Sequence, residues 1–139
     1  MTYLFQALKL LKLHEGYRQY PYTDSLGIVT IGYGRNLESR GLTESEATYL
    51  LEQDVDQAEE YLHKGYDYYY ELSGERKAVM IDMMVNLGAT RLRSFRKMHE
   101  ALEDQDYEVA ALEMLDSKWA RQVGTRAITL SKIMQSNEI

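Results

Sequence analysis

The stretch HEGYRQYPYTDSLGIVTIGYGRN, residues 14–36, differs from the rest of the chain in its residue types. It contains an acid, Glu15, a second acid nine positions later, Asp24, and then a run rich in glycine and tyrosine. Residues 28–33 are mostly strand formers and stand between glycines, and the preceding DSLG is typical of a connecting turn. The segment therefore predicts a small β-hairpin.

The residues before this stretch have the spacing of a helix. Thr2 is a suitable N-cap and Gly16 is a suitable C-terminal stop, which places Glu15 in the last turn. The apolar side chains that fall on one face of this helix are Leu4, Phe5, Leu8 and Leu11.

A long helix is predicted after the hairpin, because Thr43 and Glu46 have the spacing of a capping box and an apolar stripe follows until Gly65. The rest of the chain consists of shorter helical segments with polar or glycine boundaries. The pattern predicts one α+β domain over residues 1–139. Its parts are a β lobe at about 16–42, a connecting helix at about 43–64, and a helical lobe formed by 1–15 and about 65–139.

The composition is that of an ordinary globular protein, with 45% hydrophobic and 27% charged residues in 139. The chain has no cysteine, and its three histidines are isolated from one another, so we expect no disulfide, metal or cofactor. No apolar run has the length of a membrane span, and the N-terminal segment is interrupted by polar residues at helical spacing. We therefore expect neither membrane insertion nor a signal peptide.

The net charge of −6 argues against nucleic-acid binding, because phosphate neutralisation needs a basic surface. The charge is unevenly distributed. Residues 36–75 contain eleven acidic and two basic residues, whereas residues 76–99 contain six basic residues and one acid. Either these are solvated helix faces, or the segment TRLRSFRK, residues 90–97, helps to hold an anionic polymer.

Glu15 and Asp24 have contexts that favour different protonation states. A glutamate in the last turn of a helix faces the negative end of the helix dipole, and partial burial would also favour its neutral form. Asp24 lies beside hydroxyl side chains in an open turn and should stay charged. Glycoside hydrolysis requires such a pair, one carboxyl as acid and one as base. The alternative is a surface acid at a helix end and an ordinary turn aspartate.

The segments LHEGYRQYPYTDSLGIVTIGYGRNL and GLTESEATYLLEQDV resemble the phage-type lysozymes of glycoside hydrolase family 24, which include the T-even phage enzymes. The shared signature is Glu-Gly, an Asp nine residues after the Glu, and a Thr six residues after the Asp that leads into TIGYG. Downstream, MMVNLG and SKWARQVGTRA are similar to landmarks of the family's helical lobe. The resemblance extends from about Phe5 to Arg126.

This resemblance implies a two-lobed lysozyme fold and an endo-acting muramidase. Such an enzyme cleaves the β-1,4 bond between N-acetylmuramic acid and N-acetylglucosamine in bacterial peptidoglycan, with inversion. By position, Glu15 would be the general acid, Asp24 would place or activate a water molecule, and Thr30 would orient that water through its hydroxyl.

The resemblance also implies supporting residues. Arg126 matches a family arginine that pairs with the catalytic glutamate, although it could be a simple helix-face residue. Asn86 matches a substrate-facing position but could equally be a helix cap. Arg35 replaces a common family histidine, and we expect it to keep an ion pair with Asp54 that no longer titrates near neutrality.

Two other functions remain open at the level of sequence. A lytic transglycosylase would use one acid and no activated water, and a non-catalytic glycan-binding module on the same fold would not need all three of Glu15, Asp24 and Thr30. We expect peptidoglycan as the partner and a monomer as the functional unit. If the protein is a phage endolysin, it would stay in the cytoplasm of the infected host until its release to the cell wall.

Overall fold

The computed structural model describes residues 2–139 and divides into two compact units, residues 1–50 and 51–139. Within the described residues the structure has eight α-helices, one 3₁₀ helix and three β-strands, which confirms the predicted α+β class. No described helix is both long enough and apolar enough to cross a membrane. The elements are α1 (Thr2–Glu15), β1 (Arg18–Thr23), β2 (Val29–Gly32), β3 (Arg35–Asn36), α2 (Glu44–Gly65), the 3₁₀ helix (Asp67–Glu71), α3 (Gly74–Leu87), α4 (Ala89–Arg93), α5 (Arg96–Glu103), α6 (Tyr107–Leu115), α7 (Lys118–Val123) and α8 (Thr125–Ser136).

The first unit contains α1, the β-sheet and the start of α2. Strands β1 and β2 form the predicted hairpin, with Tyr22 opposite Thr30 in antiparallel register. Strand β3 was not predicted from the sequence; it continues the sheet as a third antiparallel strand and places Asn36 opposite Thr30. This strand has two residues only, which is too short for a periodic pattern to reveal it.

Helix α1 has the predicted bounds, but all of its described residues are exposed. Leu4 and Phe5, for example, keep 54% and 62% of their surface accessible, so the predicted apolar face is not a buried face. Helix α1 belongs to the same compact unit as the sheet. The assignment of residues 1–15 to the helical lobe stays a prediction.

Helix α2 begins with the predicted capping box. The amide of Glu46 donates to Oγ1 of Thr43 at 3.1 Å, and the amide of Thr43 donates to Oε1 of Glu46 at 2.9 Å. Two otherwise unpaired backbone donors are therefore satisfied by one reciprocal pair of side chains. The helix runs for 22 residues from Glu44, and among its side chains only Ala58 and Leu62 are buried.

The second unit is helical and contains the hydrophobic core. Its core is built mainly from leucine, methionine, alanine and tyrosine side chains contributed by the end of α2, the 3₁₀ helix, and α3 to α8. The helices are separated by polar caps, since Ser73, Asp106 and Ser117 each accept a hydrogen bond from a backbone amide at a helix start. Ser117 separates α6 from α7. The fully buried side chains of this core include Leu62, Tyr69, Met80, Met83, Leu92, Met98, Leu102, Met114 and Met134.

His99 is a buried polar residue within this core and has partners on both ring nitrogens. Nε2 lies 2.7 Å from the carbonyl oxygen of Leu92, and Nδ1 lies 2.7 Å from the hydroxyl of Tyr68. Because a carbonyl only accepts, Nε2 carries the proton and the Tyr68 hydroxyl donates to Nδ1. The ring also stacks on Tyr66 with centroids 4.5 Å apart. The neutral imidazole is therefore fully satisfied.

We expect this histidine to make the fold less stable in mild acid. Burial lowers the pKa of His99 below its ordinary value of 6.5. In mild acid, His99 therefore binds a proton more readily in the unfolded chain than in the folded chain. Stability should therefore fall as the pH decreases below about 6.5. Thermal melts at neutral and mildly acidic pH measure this loss. His99→Gln should melt at a lower temperature than the parent chain, and its melting temperature should depend less on pH. If the pH dependence of the melting temperature were unchanged, His99 would not be the group that destabilises the fold in mild acid.

Candidate active site

Glu15 lies at the end of α1, beside the turn that connects β2 and β3. The closest approach is to Gly34, where an added Cβ atom would lie 2.6 Å from Oε2 of Glu15 and 3.0 Å from its Cδ. Nearby, the Lys12 ammonium lies 5.7 Å from the centre of the Tyr33 ring, and that ring lies 5.7 Å from the ring of Tyr17. The last turn of α1 is thus held against the turn at residues 33–34.

The Glu15 carboxyl group therefore occupies the space that a side chain at residue 34 would fill. Gly34 has a positive φ of 77°, which favours glycine, and it has no side chain at the point where the carboxyl group lies. Glu15 itself is exposed, so the partial burial that we expected for it is wrong. An exposed carboxyl at a helix end can exchange protons with solvent and can approach a bound polymer.

Asp24 follows β1 and organises the turn that leads to β2. Its Oδ1 accepts hydrogen bonds from the amides of Leu26 at 2.8 Å and Ile28 at 2.9 Å. Its backbone amide donates to the carbonyl of Ile28, and its carbonyl accepts from Gly27. Within residues 2–139, only Oδ1 has a hydrogen-bond partner, so Oδ2 is left to accept from water or substrate. The carboxylate is held in one orientation by its own turn.

Thr30 is the central residue of the sheet, paired on one side with Tyr22 and on the other with Asn36. It is 4% exposed, and its Oγ1 donates to the carbonyl of Ile28 at 2.9 Å. Because the hydroxyl proton is used in this bond, the oxygen can still accept a hydrogen bond. Ile28 thus connects Thr30 and Asp24, since its amide binds one side chain and its carbonyl binds the other.

Arg35 in β3 forms an ion pair, but with a different acid from the expected Asp54. Its guanidinium donates from Nη1 to Oε1 of Glu46 at 3.0 Å and to the carbonyl of Gly41 at 3.1 Å, and Nη2 contacts Oε2 of Glu46. Glu46 and Asp54 lie on the same helix, eight residues or about 12 Å apart. Glu46 makes the bidentate contact because the loop at residues 37–43 brings the first turn of α2, which contains Glu46, close to Arg35.

This pair should contribute stability that disappears only in strong acid. Hydrogen bonds from Arg35, and then from the Thr43 backbone, lower the pKa of Glu46 from 4.5 to about 2. The contribution is therefore present above pH 4.5 and lost as the pH falls towards 2. Arg35→Gln should lower the melting temperature at pH 7 but not at pH 2. The exposed Arg40→Gln is the control. If Arg35→Gln lowered the melting temperature equally at pH 7 and pH 2, the pairing of Arg35 with Glu46 would be contradicted.

In the second unit, Asn86 is bound to Trp119. The indole Nε1 donates to Oδ1 of Asn86 at 2.7 Å, and the Trp119 ring is buried with an edge-to-face contact to Phe95. Asn86 was expected to face substrate or to cap a helix. Its side chain is exposed but is oriented by the tryptophan, and the substrate-facing role stays a prediction.

Arg126, at the start of α8, is paired with an acid of its own unit. Its Nε donates to Oδ1 of Asp82 at 2.8 Å, and its Nη2 lies 2.6 Å from the same oxygen. Asp82 was not predicted from the sequence as a partner of Arg126. The pairing of Arg126 with Glu15 that the resemblance implied stays a prediction.

Two residues of the site were not assigned their roles from the sequence, Gly34 and Glu46. Gly34 was read only as a strand boundary, and Glu46 only as half of a capping box. The available signal for Gly34 was the Gly-x-Gly spacing of residues 32–34. The signal for Glu46 was the replacement of a family histidine by Arg35, since the resemblance implied an acid as the partner of that position. No three described residues of the types that ligate metals come together to hold an ion.

Comparison with known proteins places this chain in a family. The family model described as phage lysozyme matches residues 12–134, which include Glu15, Asp24, Thr30 and Arg126. Two similar proteins are Probable T4-type lysozyme 1 and Probable T4-type lysozyme 2 of Dictyostelium discoideum, which are 24% and 22% identical to this chain. Each alignment covers 94% of the chain and 94% of the relative. The chain belongs to the phage lysozyme family.

Proposed function

We propose that this protein is an endo-acting muramidase that hydrolyses the β-1,4 bond between N-acetylmuramic acid and N-acetylglucosamine in peptidoglycan, with inversion at the anomeric carbon. Membership of the phage lysozyme family supports the general class, a lysozyme-like peptidoglycan hydrolase. The observation that best supports the catalytic assignment is the approach of the Glu15 carboxyl group to Gly34, beside a sheet that contains Thr30 in its central strand and Asp24 in the turn between its first two strands.

Glu15 is the proposed general acid. In its neutral form it donates its proton to the glycosidic oxygen as the bond between that oxygen and C1 breaks, so the leaving sugar departs as an alcohol. The position of the carboxyl group against Gly34 restricts where its proton can be donated. This matters because a general acid must lie within hydrogen-bond distance of the leaving oxygen.

Asp24 and Thr30 are the proposed residues that place the water molecule. The water attacks C1 from the face opposite to the leaving group, forms the new C1–O bond, and gives a proton to Asp24. Oδ1 of Asp24 is occupied by two amides, which leaves Oδ2 as the acceptor. The Thr30 oxygen accepts a hydrogen bond from the same water, because its own proton is donated to Ile28.

The experiment that tests this function is digestion of purified peptidoglycan in water enriched in ¹⁸O, followed by mass spectrometry of the soluble fragments. Hydrolysis by an external water should place the heavy oxygen at each newly formed reducing end. The expected result is labelled muropeptides in the absence of added metal.

Each alternative function gives a different result. A lytic transglycosylase would release fragments without the label, because the new bond would form within the sugar. A glycan-binding module would release no fragments, although the protein would sediment with the polymer. Either result would contradict the proposed hydrolysis.

A further inference from the structure

Asn36 lies in β3 directly opposite Thr30, the residue proposed to orient the water molecule. The amide of Leu37 donates to the carbonyl of Val29 at 2.9 Å, so these two residues are a hydrogen-bonded pair of the antiparallel ladder. The next pair, Thr30 and Asn36, is therefore of the non-hydrogen-bonded kind, in which the Cα atoms are about 4.5 Å apart and the side chains are closest. The two side chains leave the same face of the sheet as neighbours.

Asp24 belongs to this face of the sheet as well. It is two residues beyond Tyr22, which is opposite Thr30, and its own amide continues the ladder by donating to the carbonyl of Ile28 at 2.9 Å. Because successive side chains alternate between the two faces of a sheet, Asp24 projects to the side that carries Tyr22 and Thr30. One face therefore presents a carboxylate, a hydroxyl and the side-chain amide of Asn36.

The side-chain amide of Asn36 is held in one orientation by its own loop. It accepts a hydrogen bond from the backbone amide of Ser39 at 3.0 Å. A backbone N–H can only donate, so the Asn36 atom at this contact is Oδ1, and Nδ2 lies on the other side of the group. Within residues 2–139, neither N–H of Nδ2 has a hydrogen-bond partner, and the residue is only half-buried. Nδ2 is therefore an oriented donor that can bind water.

A water molecule has two O–H groups and two lone pairs, and the proposed mechanism uses three of these four. The O–H groups are donated to Oδ2 of Asp24 and to Oγ1 of Thr30, and one lone pair forms the bond to C1. The second lone pair has no partner among the proposed catalytic residues. A donor that binds it would fix the direction of the attacking pair, and reaction rates depend strongly on such alignment.

We propose that Asn36 is the third residue that holds the attacking water, by donating from Nδ2 to its second lone pair. This inference rests on the proposed function, because it names a further residue for the same hydrolysis. The covalent step is unchanged: the new C1–O bond forms, the bond from C1 to the leaving oxygen breaks, and the proton released by the water goes to Asp24. The amide of Asn36 neither gains nor loses a proton.

The expected contribution of Asn36 is moderate. The water oxygen becomes more positive as it attacks C1, so a hydrogen bond donated to it weakens along the reaction. The amide therefore contributes by orienting the water before attack and not by making it more reactive. An effect of this kind should be much smaller than that of the proton donor Glu15.

The test measures kcat and KM of the full chain on solubilised peptidoglycan, with Asn36→Asp as the main variant. Aspartate has the size of asparagine and keeps the oxygen that accepts from the Ser39 amide, but its carboxylate has no N–H to donate. We expect kcat to fall about tenfold and KM to stay nearly unchanged. The control is Arg40→Gln, which makes the same change of −1 in net charge at an exposed side chain and should keep the parent kcat.

Asn36→Ala distinguishes the binding of water from support of the loop. Alanine has neither the donor nor the acceptor, so this variant should lose the same factor in kcat and should also melt at a lower temperature, because the Ser39 amide loses its partner. Asn36→Asp should lose activity without this decrease in melting temperature. If only Asn36→Ala lost activity, in parallel with its melting temperature, Asn36 would be a structural residue of the loop and the proposal would be overturned.

Failure of this inference differs from failure of the proposed function. An active parent chain with an equally active Asn36→Asp variant would overturn the role of Asn36 alone. A parent chain that releases no fragments would contradict the proposed hydrolysis and this inference together. A tenfold rise in KM with an unchanged kcat would make Asn36 a residue that binds the sugar, and would also overturn its assignment to the water.

Discussion

Glu15→Gln should lower the rate at which the protein clears a peptidoglycan suspension by about 10²- to 10⁴-fold, the usual contribution of a general acid. Glutamine keeps the size of the side chain and its place over Gly34 but cannot donate a proton to the leaving oxygen. Because Glu15 is exposed and has no ion pair among the described residues, the loss should not arise from unfolding. Turbidity of purified peptidoglycan measures the rate.

The matched control is Glu52→Gln, which makes the same chemical change at an exposed residue of α2. Circular dichroism and thermal melts of both variants should match those of the parent chain, and Glu52→Gln should keep its activity. If Glu15→Gln retained more than about a tenth of the parent rate, Glu15 would not be the general acid.

Gly34→Ala should produce the second large effect, a loss of activity of about 10²-fold, although residue 34 takes no part in proton transfer. The new Cβ would lie 2.6 Å from Oε2 of Glu15, closer than non-bonded atoms approach, so the carboxyl group must move. It can do so by rotating into solvent, because it is the end of a flexible side chain. Displacement of a catalytic group by about 1 Å can cost this much in rate.

Gly32→Ala separates this effect from backbone strain. Gly32 has a φ of 68°, close to the 77° of Gly34, so a side chain costs about 1–2 kcal/mol of strain at either position. A Cβ at Gly32, however, would have no atom within 4 Å. Both variants should melt at similarly lowered temperatures, and only Gly34→Ala should lose activity. Equal activities in the two variants would mean that Gly34 does not position Glu15.

The sequence predicted those features that are specified by local patterns. The capping box of Thr43 and Glu46 is present because hydrogen bonds between adjacent turns depend only on spacing along the chain. The hairpin was recognisable for the same reason, from strand formers between turn residues. Glu15 at the end of a helix and Asp24 in a turn followed from these elements, whereas the family signature came from the resemblance alone.

Features that depend on which side chains meet in space were less predictable. Arg35 was known to need an acid, but the choice between Glu46 and Asp54 depends on the path of the loop at residues 37–43. The exposure of Glu15 and the role of Gly34 depend on how the end of α1 meets the turn after β2. The basic segment at 90–97 looked uniform in sequence, yet its Arg93 donates to the hydroxyl of Tyr61 and lies against the ring of Tyr66. Periodicity and capping signals contain none of this information.

In the proposed mechanism, a water molecule placed by Asp24 and Thr30 attacks the anomeric carbon from the face opposite to the leaving sugar. Proton NMR of a fresh digest, recorded before mutarotation equilibrates the products, measures the configuration of each new reducing end directly. The α-anomer should appear first, because attack from the opposite face inverts the configuration of the β-linked carbon. Initial formation of the β-anomer would show retention and would contradict the roles assigned to both residues.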